Sequence, residues 1–278
     1  MQAIILCGGE GTRLRSVIGE KQKTMTEIGS EPFLVNVIKH LKKYKITNVI
    51  FATGYKSHEV KDYFGTSYYF GVEVNYSEEK IALGTGGAIR NCLDKMKYDY
   101  ALVLNGDTLF KADLKELEEN FLTSKADMTI ACKEVDDKSR YGSIKIDYSG
   151  ERTGGNKDIG AIVSFDEKVD KKNNKSNEGE SGVGQEVDSE NVSKENNTLN
   201  NKKLYDLVIN GGIYIIKKEL IETIPIGVKS SLEKDLIPKW LKEGKLITAE
   251  VSAARFIDIG TPDSLEEFKI RKEEFQEI

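Results

Sequence analysis

Through its first half the chain alternates short apolar runs with segments whose apolar residues recur at helical spacing. Residues 3–6, 48–53, 72–76, 100–104 and 128–135 have the length and composition of buried strands. Between them, residues 32–44 place apolar side chains at helical intervals behind Pro32, a residue suited to a first helical turn. Residues 57–64, the stretch from the glycine-rich run 84–87 to about Met96, and residues 113–122 read as further helices. Strands alternating with helices predict a mostly parallel sheet with right-handed crossovers. In such sheets the ligand site lies beyond the carboxyl ends of the strands.

The second half is ordered differently. Residues 142–146 and 161–165 read as strands on either side of a glycine-rich loop, and 207–216 as a strand containing Asn210-Gly211-Gly212. An amphipathic helix is expected over 231–242, strands over 246–251 and 255–257, and a charged helix from about Asp263. Residues 169–203 carry almost no large apolar side chains and are crowded with Asn, Ser, Lys, Glu and Gly. Such a segment cannot bury enough surface to offset its ordering entropy. It is expected to be a disordered insertion within a single domain spanning 1–278, although a partner-binding tail would have the same composition.

Composition narrows the partners. A net charge of −5 over 278 residues, with both signs interspersed, argues against nucleic-acid binding driven by global charge. No apolar run approaches a membrane span, and the N-terminus reads as a strand, not a signal peptide, so a cytoplasmic protein without membrane partners is expected. Cys7, Cys92 and Cys132 lack metal-type spacing and fit buried free thiols in a reducing compartment. His40 and His58 fall in helix-like, largely polar segments that do not suggest catalytic bases. A homo-oligomer is compatible with the sequence but not dictated by it.

The candidate chemistry begins where the first strand ends, in Gly8-Gly9-Glu10-Gly11-Thr12-Arg13. Glycines there let the backbone turn sharply and bring N–H groups close to a ligand. Thr12 adds a hydroxyl, Arg13 a fork of donors suited to phosphate, and Lys21 and Lys23 follow as cations. The pattern fits a cradle for a polyphosphate, with an ordinary strand–helix turn as the bland alternative. It is not a Walker A loop, and Leu14 stands where a dinucleotide fingerprint needs its third glycine. Asp107 and Asp258 each follow a strand and adjoin glycine-containing turns. Either could ligate magnesium, or simply cap the next turn.

Gly8-Gly9-x-Gly11-Thr12-Arg13-Leu14, with Lys23 just before Met25, resembles the sugar-1-phosphate nucleotidyltransferases. The family's usual Pro-Lys-Pro-Met is Gln22-Lys23-Thr24-Met25 here, so both prolines are missing and the loop is expected to be less rigid. The resemblance implies a Rossmann-like α/β fold, a mostly parallel mixed sheet flanked by helices, with a small sugar-binding subdomain. It implies catalytic roles for Arg13 and Lys23, and nucleotide contacts from Leu6, Gly8, Gly9, Gly11, Thr12, Gly84 and Thr85. It further implies Mg²⁺ held by Asp107 and Asp258, and sugar-phosphate contacts from Gly142, Glu167, Lys168 and Asn210. The runs 83–89, 104–108 and 209–214 resemble those of the guanylyltransferases acting on heptose 1-phosphates, with Ala82 replacing a usual proline. Glu79 stands where UDP-sugar-forming relatives carry a base-reading glutamine. A carboxylate, being acceptor-only, suits the two adjacent donors of guanine, unless Glu79 is simply solvated with Glu78 and Lys80. The expected substrates are GTP and a sugar 1-phosphate, giving GDP-sugar and pyrophosphate. The rivals are a guanylyl- or uridylyltransferase for another hexose 1-phosphate such as mannose 1-phosphate, and a non-catalytic sugar-nucleotide sensor.

Overall fold

The structure, a computed structural model, describes residues 1–135, 143–153, 159–166 and 208–275. The expected insertion at 169–203 lies outside the described residues, as do Gly142, Glu167 and Lys168. Along the chain come β1 (Gln2–Cys7), the one-turn α1 (Arg15–Ile18), a small ribbon of β2 (Glu27–Ile28) and β3 (Glu31–Pro32), and α2 (Phe33–Lys43). Next are β4 (Asn48–Thr53), α3 (Ser57–Phe64), β5 (Tyr68–Tyr69), β6 (Val72–Glu78), α4 (Gly84–Asn91), β7 (Tyr100–Asn105) and β8 (Thr108–Phe110). They lead to α5 (Leu114–Ser124), β9 (Met128–Glu134), β10 (Ser143–Asp147), β11 (Gly160–Asp166) and β12 (Val208–Lys217). The last described elements are α6 (Lys218–Glu222), α7 (Ile237–Lys242), β13 (Ile247–Ser252), β14 (Phe256–Asp258) and α8 (Pro262–Arg271).

Ten strands form one sheet in the order β10-β11-β13-β9-β12-β7-β1-β4-β6-β5. The pairings make β1, β4, β6, β7, β9, β10 and β13 point one way and β5, β11 and β12 the other. This is the mostly parallel mixed sheet that the alternation of strands and helices predicts. Burial follows the two-residue period of a strand covered on both faces. Ala3 and Ile5 pack with Phe33, Leu34, Val60, Leu117 and Phe268, so α2, α3, α5 and α8 cover one face. Ile4 packs in the opposite cluster with Ile89, Leu220, Ile237 and Trp240, so α4, α6 and α7 cover the other.

Two expectations are corrected by packing and hydrogen bonding. The segment 231–242 is not one α-helix. Ser231 caps a wide π-type turn over Leu232–Leu236, in which the Leu236 N–H donates to the Ser231 carbonyl at 3.1 Å, and α7 follows. Pro238 has no N–H to offer one turn back, and the widened turn lies just before it. His40, expected on a polar segment, is buried on the core side of α2 with its ring edge-on to Tyr44. The ribbon β2–β3, β5, β8 and α6 are too short to leave a periodic signal in the sequence.

Topology brings the carboxyl ends of β6, β4, β1 and β7 side by side at Glu78, Thr53, Cys7 and Asn105. The glycine loop leaves β1 there, Glu79 leaves β6, and the Gly106-Asp107 turn leaves β7. β14 pairs antiparallel with β8, setting Asp258 opposite Thr108, and the Ile259 N–H donates to the Asp107 carbonyl at 3.0 Å. That small ribbon is what places two aspartates 151 residues apart in sequence in one corner of the fold.

Candidate active site

Past β1 the chain runs through Gly8, Gly9 and Gly11 into a 3₁₀ turn, Thr12–Leu14. Gly11 has φ +58, and a Cβ there would fall 2.9 Å from the Cβ of Lys23. Left-handed backbone and close packing of the lysine stem both select glycine at this position. Gly8 and Gly54 flank the Glu79 carboxylate, and a Cβ at either would come within 2.9 Å of its Oε1. Glu79 Oε2 accepts from the Leu83 N–H at 3.0 Å. Burial pushes the Glu79 carboxyl above the ordinary glutamate range, and the Leu83 N–H pulls it part of the way back.

These groups line a cleft of about 320 Å³ that takes in Leu6, Gly8, Gly9, Gly11, Lys23, Glu79, Gly84, Thr85, Asn105 and Asp107. Of the nucleotide-contacting positions expected from the sequence, only Thr12 is missing from its wall. Arg13 is outside the wall too, exposed on the 3₁₀ turn, yet its charge reaches both Lys23 and Asp258. Lys21, expected to add a cation to the phosphate cradle, faces elsewhere and pairs with Glu27 at 3.4 Å on the exposed surface. A second cavity of about 210 Å³ is lined by Asn105, Asp166, Asn210, Glu233, Lys234 and Asp258. Asn105 belongs to both walls, so the two cavities adjoin at the end of β7.

Lys23, Asp107 and Asp258 meet at this junction. The Lys23 ammonium forms an ion pair with Asp107. Burial works to lower the Lys23 pKa, and the charge and hydrogen bond of Asp107, with Asp258 beside it, more than reverse that and raise it. For Asp258, burial and then the like charge of Asp107 push the carboxyl upward, against the opposing pull of Lys23, the Gly260 N–H and Arg13. Asp258 accepts the Gly260 N–H, and Thr261 caps α8 through a capping box with Ser264. The aspartate therefore caps its turn and also faces the second cavity.

Two carboxylates crowded into one half-buried corner form a donor set that fits magnesium, which binds one or two carboxylates and completes its shell with water and phosphate oxygens. A divalent cation would also relieve the repulsion that raises Asp258. Among the described residues no group of three or more His, Cys, Asp or Glu gathers as a metal cage, in this corner or outside it.

The glycines after Leu83 have a packing role. Gly84 has φ +71, and a Cβ there would lie 2.5 Å from the Ser230 carbonyl oxygen, which accepts the Gly86 N–H at 2.9 Å. Thr85 Oγ1 donates to Glu233 at 2.8 Å and accepts the Leu232 N–H at 2.7 Å. Glu233 also accepts from Ser231 at 2.9 Å and from the Tyr214 hydroxyl at 3.1 Å. Asn210 Nδ2 donates to that hydroxyl at 2.7 Å, while its Oδ1 accepts the Gly212 N–H across the bulge in β12. Sequence reasoning missed Glu233, Lys234 and Lys229, which lie on the cavity walls but belong to no local motif.

With this geometry in place, comparison with known proteins identifies the family. The sequence matches the family described as Nucleotidyl transferase over residues 2–274. The chain belongs to the nucleotidyl transferases. Over 263 residues it is 35% identical to D-glycero-alpha-D-manno-heptose 1-phosphate guanylyltransferase of Aneurinibacillus thermoaerophilus, covering 95% of this chain and 94% of the relative. The Campylobacter jejuni protein of the same description is also 35% identical, over 97% of this chain and 99% of its own. Among solved structures, HddC from Yersinia pseudotuberculosis complexed with GMP-PN superposes with a TM-score of 0.72 at 29% identity and 99% coverage of both chains. HddC shares the mixed, mostly parallel sheet with flanking helices described above. No helix among the described residues is long and apolar enough to cross a membrane.

Proposed function

We propose that this nucleotidyl transferase condenses GTP with a heptose 1-phosphate, giving GDP-heptose and pyrophosphate. The observation that carries the reading is the pair of adjoining cavities with a lysine and two aspartates at their junction. The larger cavity is the nucleotide site. Its glycine-loop N–H groups and Lys23 meet the triphosphate, Arg13 adds charge from the rim, and Glu79 reads guanine through N1–H and the N2 amine. The smaller cavity takes the sugar phosphate, with Asn210 on its wall and Gly142, Glu167 and Lys168 assigned to the same substrate by resemblance.

An oxygen of the sugar phosphate attacks the α-phosphorus as the bond to the β-phosphate bridging oxygen breaks, and pyrophosphate leaves. The nucleophile is already an anion and needs no general base, so catalysis consists of alignment and charge neutralisation. Asp107 and Asp258 would hold Mg²⁺, which supplies Lewis-acid neutralisation of phosphate charge. Lys23, kept protonated by those carboxylates, stabilises charge on the leaving pyrophosphate.

The reading is tested by pyrophosphate release over a matrix of GTP, ITP, UTP and ATP against heptose, mannose and glucose 1-phosphates. Turnover should be highest with GTP and heptose 1-phosphate and should be suppressed by excess EDTA. A maximum at mannose 1-phosphate would reassign the sugar. No pyrophosphate in any combination would favour the non-catalytic sensor.

A further inference from the structure

The loop that carries Lys23 lacks both prolines usual in relatives, yet it is tied down at every turn. Gln22 is 1% exposed and lies directly before the 3₁₀ turn Lys23–Met25. Its Nε2 donates to the Cys7 carbonyl, where β1 gives way to the glycine loop. Its Oε1 accepts from the Thr24 N–H at 2.6 Å, the Thr24 hydroxyl at 2.7 Å and the Met25 N–H at 3.3 Å. The amide orientation is fixed by its partners, because a carbonyl can only accept and backbone N–H groups can only donate. The backbone N–H of Gln22 donates to Glu59 on α3 at 2.9 Å.

We infer that Gln22 is a positioning residue for Lys23, taking over by hydrogen bonding what a fixed proline φ would otherwise do. Its φ of −65 is already the value that a proline ring imposes. What proline would hold by covalent constraint, Gln22 holds through one bond to the strand before the glycine loop and three to the turn after it. Neighbouring contacts act in the same direction. The stem of Lys23 packs over Gly11, and the methyl of Thr24 packs over Gly106, where a Cβ would stand 3.2 Å from it. The ammonium is thereby set between the glycine loop and Asp107. A buried side chain tied at both ends of its amide tolerates little drift, and an error of about 1 Å in a charged group can cost 10²-fold in rate.

This rests on the reading of Lys23 as the group that meets the triphosphate, and a double-mutant cycle separates the two. Gln22→Leu removes the amide at similar volume. Gln22→Asn is one methylene shorter and cannot reach Cys7 and Thr24 together, so it keeps the test available if the leucine variant does not fold. Each should lower kcat by about tenfold or more while leaving KM for the sugar phosphate within about twofold of wild type. In a Lys23→Ala background the same substitutions should reduce kcat no further, because the group they position is gone. Multiplying losses, or a wild-type kcat in both Gln22 variants, would overturn the inference. A fully active Lys23→Ala enzyme would overturn the reading of Lys23 itself, and this inference with it.

Discussion

Glu79 sits where a carboxylate is poorly solvated, between two glycines and under the Leu83 N–H. On the proposed reading, with one oxygen bonded to the loop, the remaining lone pairs would accept the two adjacent donors that guanine alone among the four bases presents at its pairing edge. ITP, which lacks the N2 amine, should therefore lose about 1–3 kcal/mol of discrimination against GTP in kcat/KM. Glu79→Gln should narrow the gap between GTP and UTP. Because burial raises the Glu79 pKa, protonation sets in at a higher pH than for an ordinary glutamate. The preference for GTP over ITP should accordingly shrink as pH falls toward the glutamate range and be full above it. Equal use of ITP and GTP by wild type, with an unchanged preference in the glutamine variant, would remove Glu79 from base recognition.

At the scale of elements, strands and helices with a local signal were legible from the sequence. β4 and α3 fall where their apolar spacing places them, and α2 begins directly after Pro32. What the sequence could not show was set by distant partners. The burial of His40 and the closure of the Lys23 loop by Gln22 depend on contacts with other segments, and the wide turn before Pro238 adds to its local causes a bond from the Leu232 N–H to Thr85 on α4. The pairing of α5 with β13 is another such case and yields a stability prediction. Asn120 Nδ2 donates to Glu250 at 2.6 Å, whereas its buried Oδ1 has no hydrogen-bond partner among the described residues. Burial, and then the charges of Glu116 and Asp113, raise the Glu250 pKa despite the Asn120 bond. A carboxyl raised on folding favours the fold below its unfolded pKa and loses that contribution as pH rises through the folded value. Glu250→Gln keeps the acceptor for Asn120, adds a donor for its Oδ1 and removes the charge. At pH 7 it should gain about 1 kcal/mol, or roughly 2–4 °C in Tm. The difference from wild type should narrow as pH falls toward 4.5, the ordinary glutamate value. A lower Tm for the variant at neutral pH would contradict this account of the site.

At the scale of the whole molecule, the two cavities are walled by elements that meet only through tertiary contacts. α4 borders the larger of the two cavities and β12 the smaller, and the segment from Ser230 to Glu233 lies between them. Glu233 joins the three. Its carboxylate takes the Thr85 hydroxyl from α4, the Ser231 hydroxyl from the turn and the Tyr214 hydroxyl from β12, and Asn210 reaches it through Tyr214. Thr85 and Glu233 are 148 residues apart, which is why neither motif reading nor periodicity could connect them. A carboxylate with three hydroxyl donors orients all three, since each can point its proton only one way while bonded. Replacing Glu233 with Ala would remove the acceptor those three hydroxyls share and loosen the Asn210 amide through Tyr214. Hydrogen bonds to a charged group contribute about 1.5–3 kcal/mol, so KM for both substrates should rise, by about tenfold or more in total. The two arms can be cut separately. Tyr214→Phe removes the link toward Asn210 and should raise KM for the sugar phosphate while leaving that for GTP nearly unchanged. Thr85→Val removes the link toward α4 and should act mainly on GTP. If Glu233→Ala instead lowers Tm but leaves both KM values at wild type, the carboxylate only braces the fold and the two cavities are set independently.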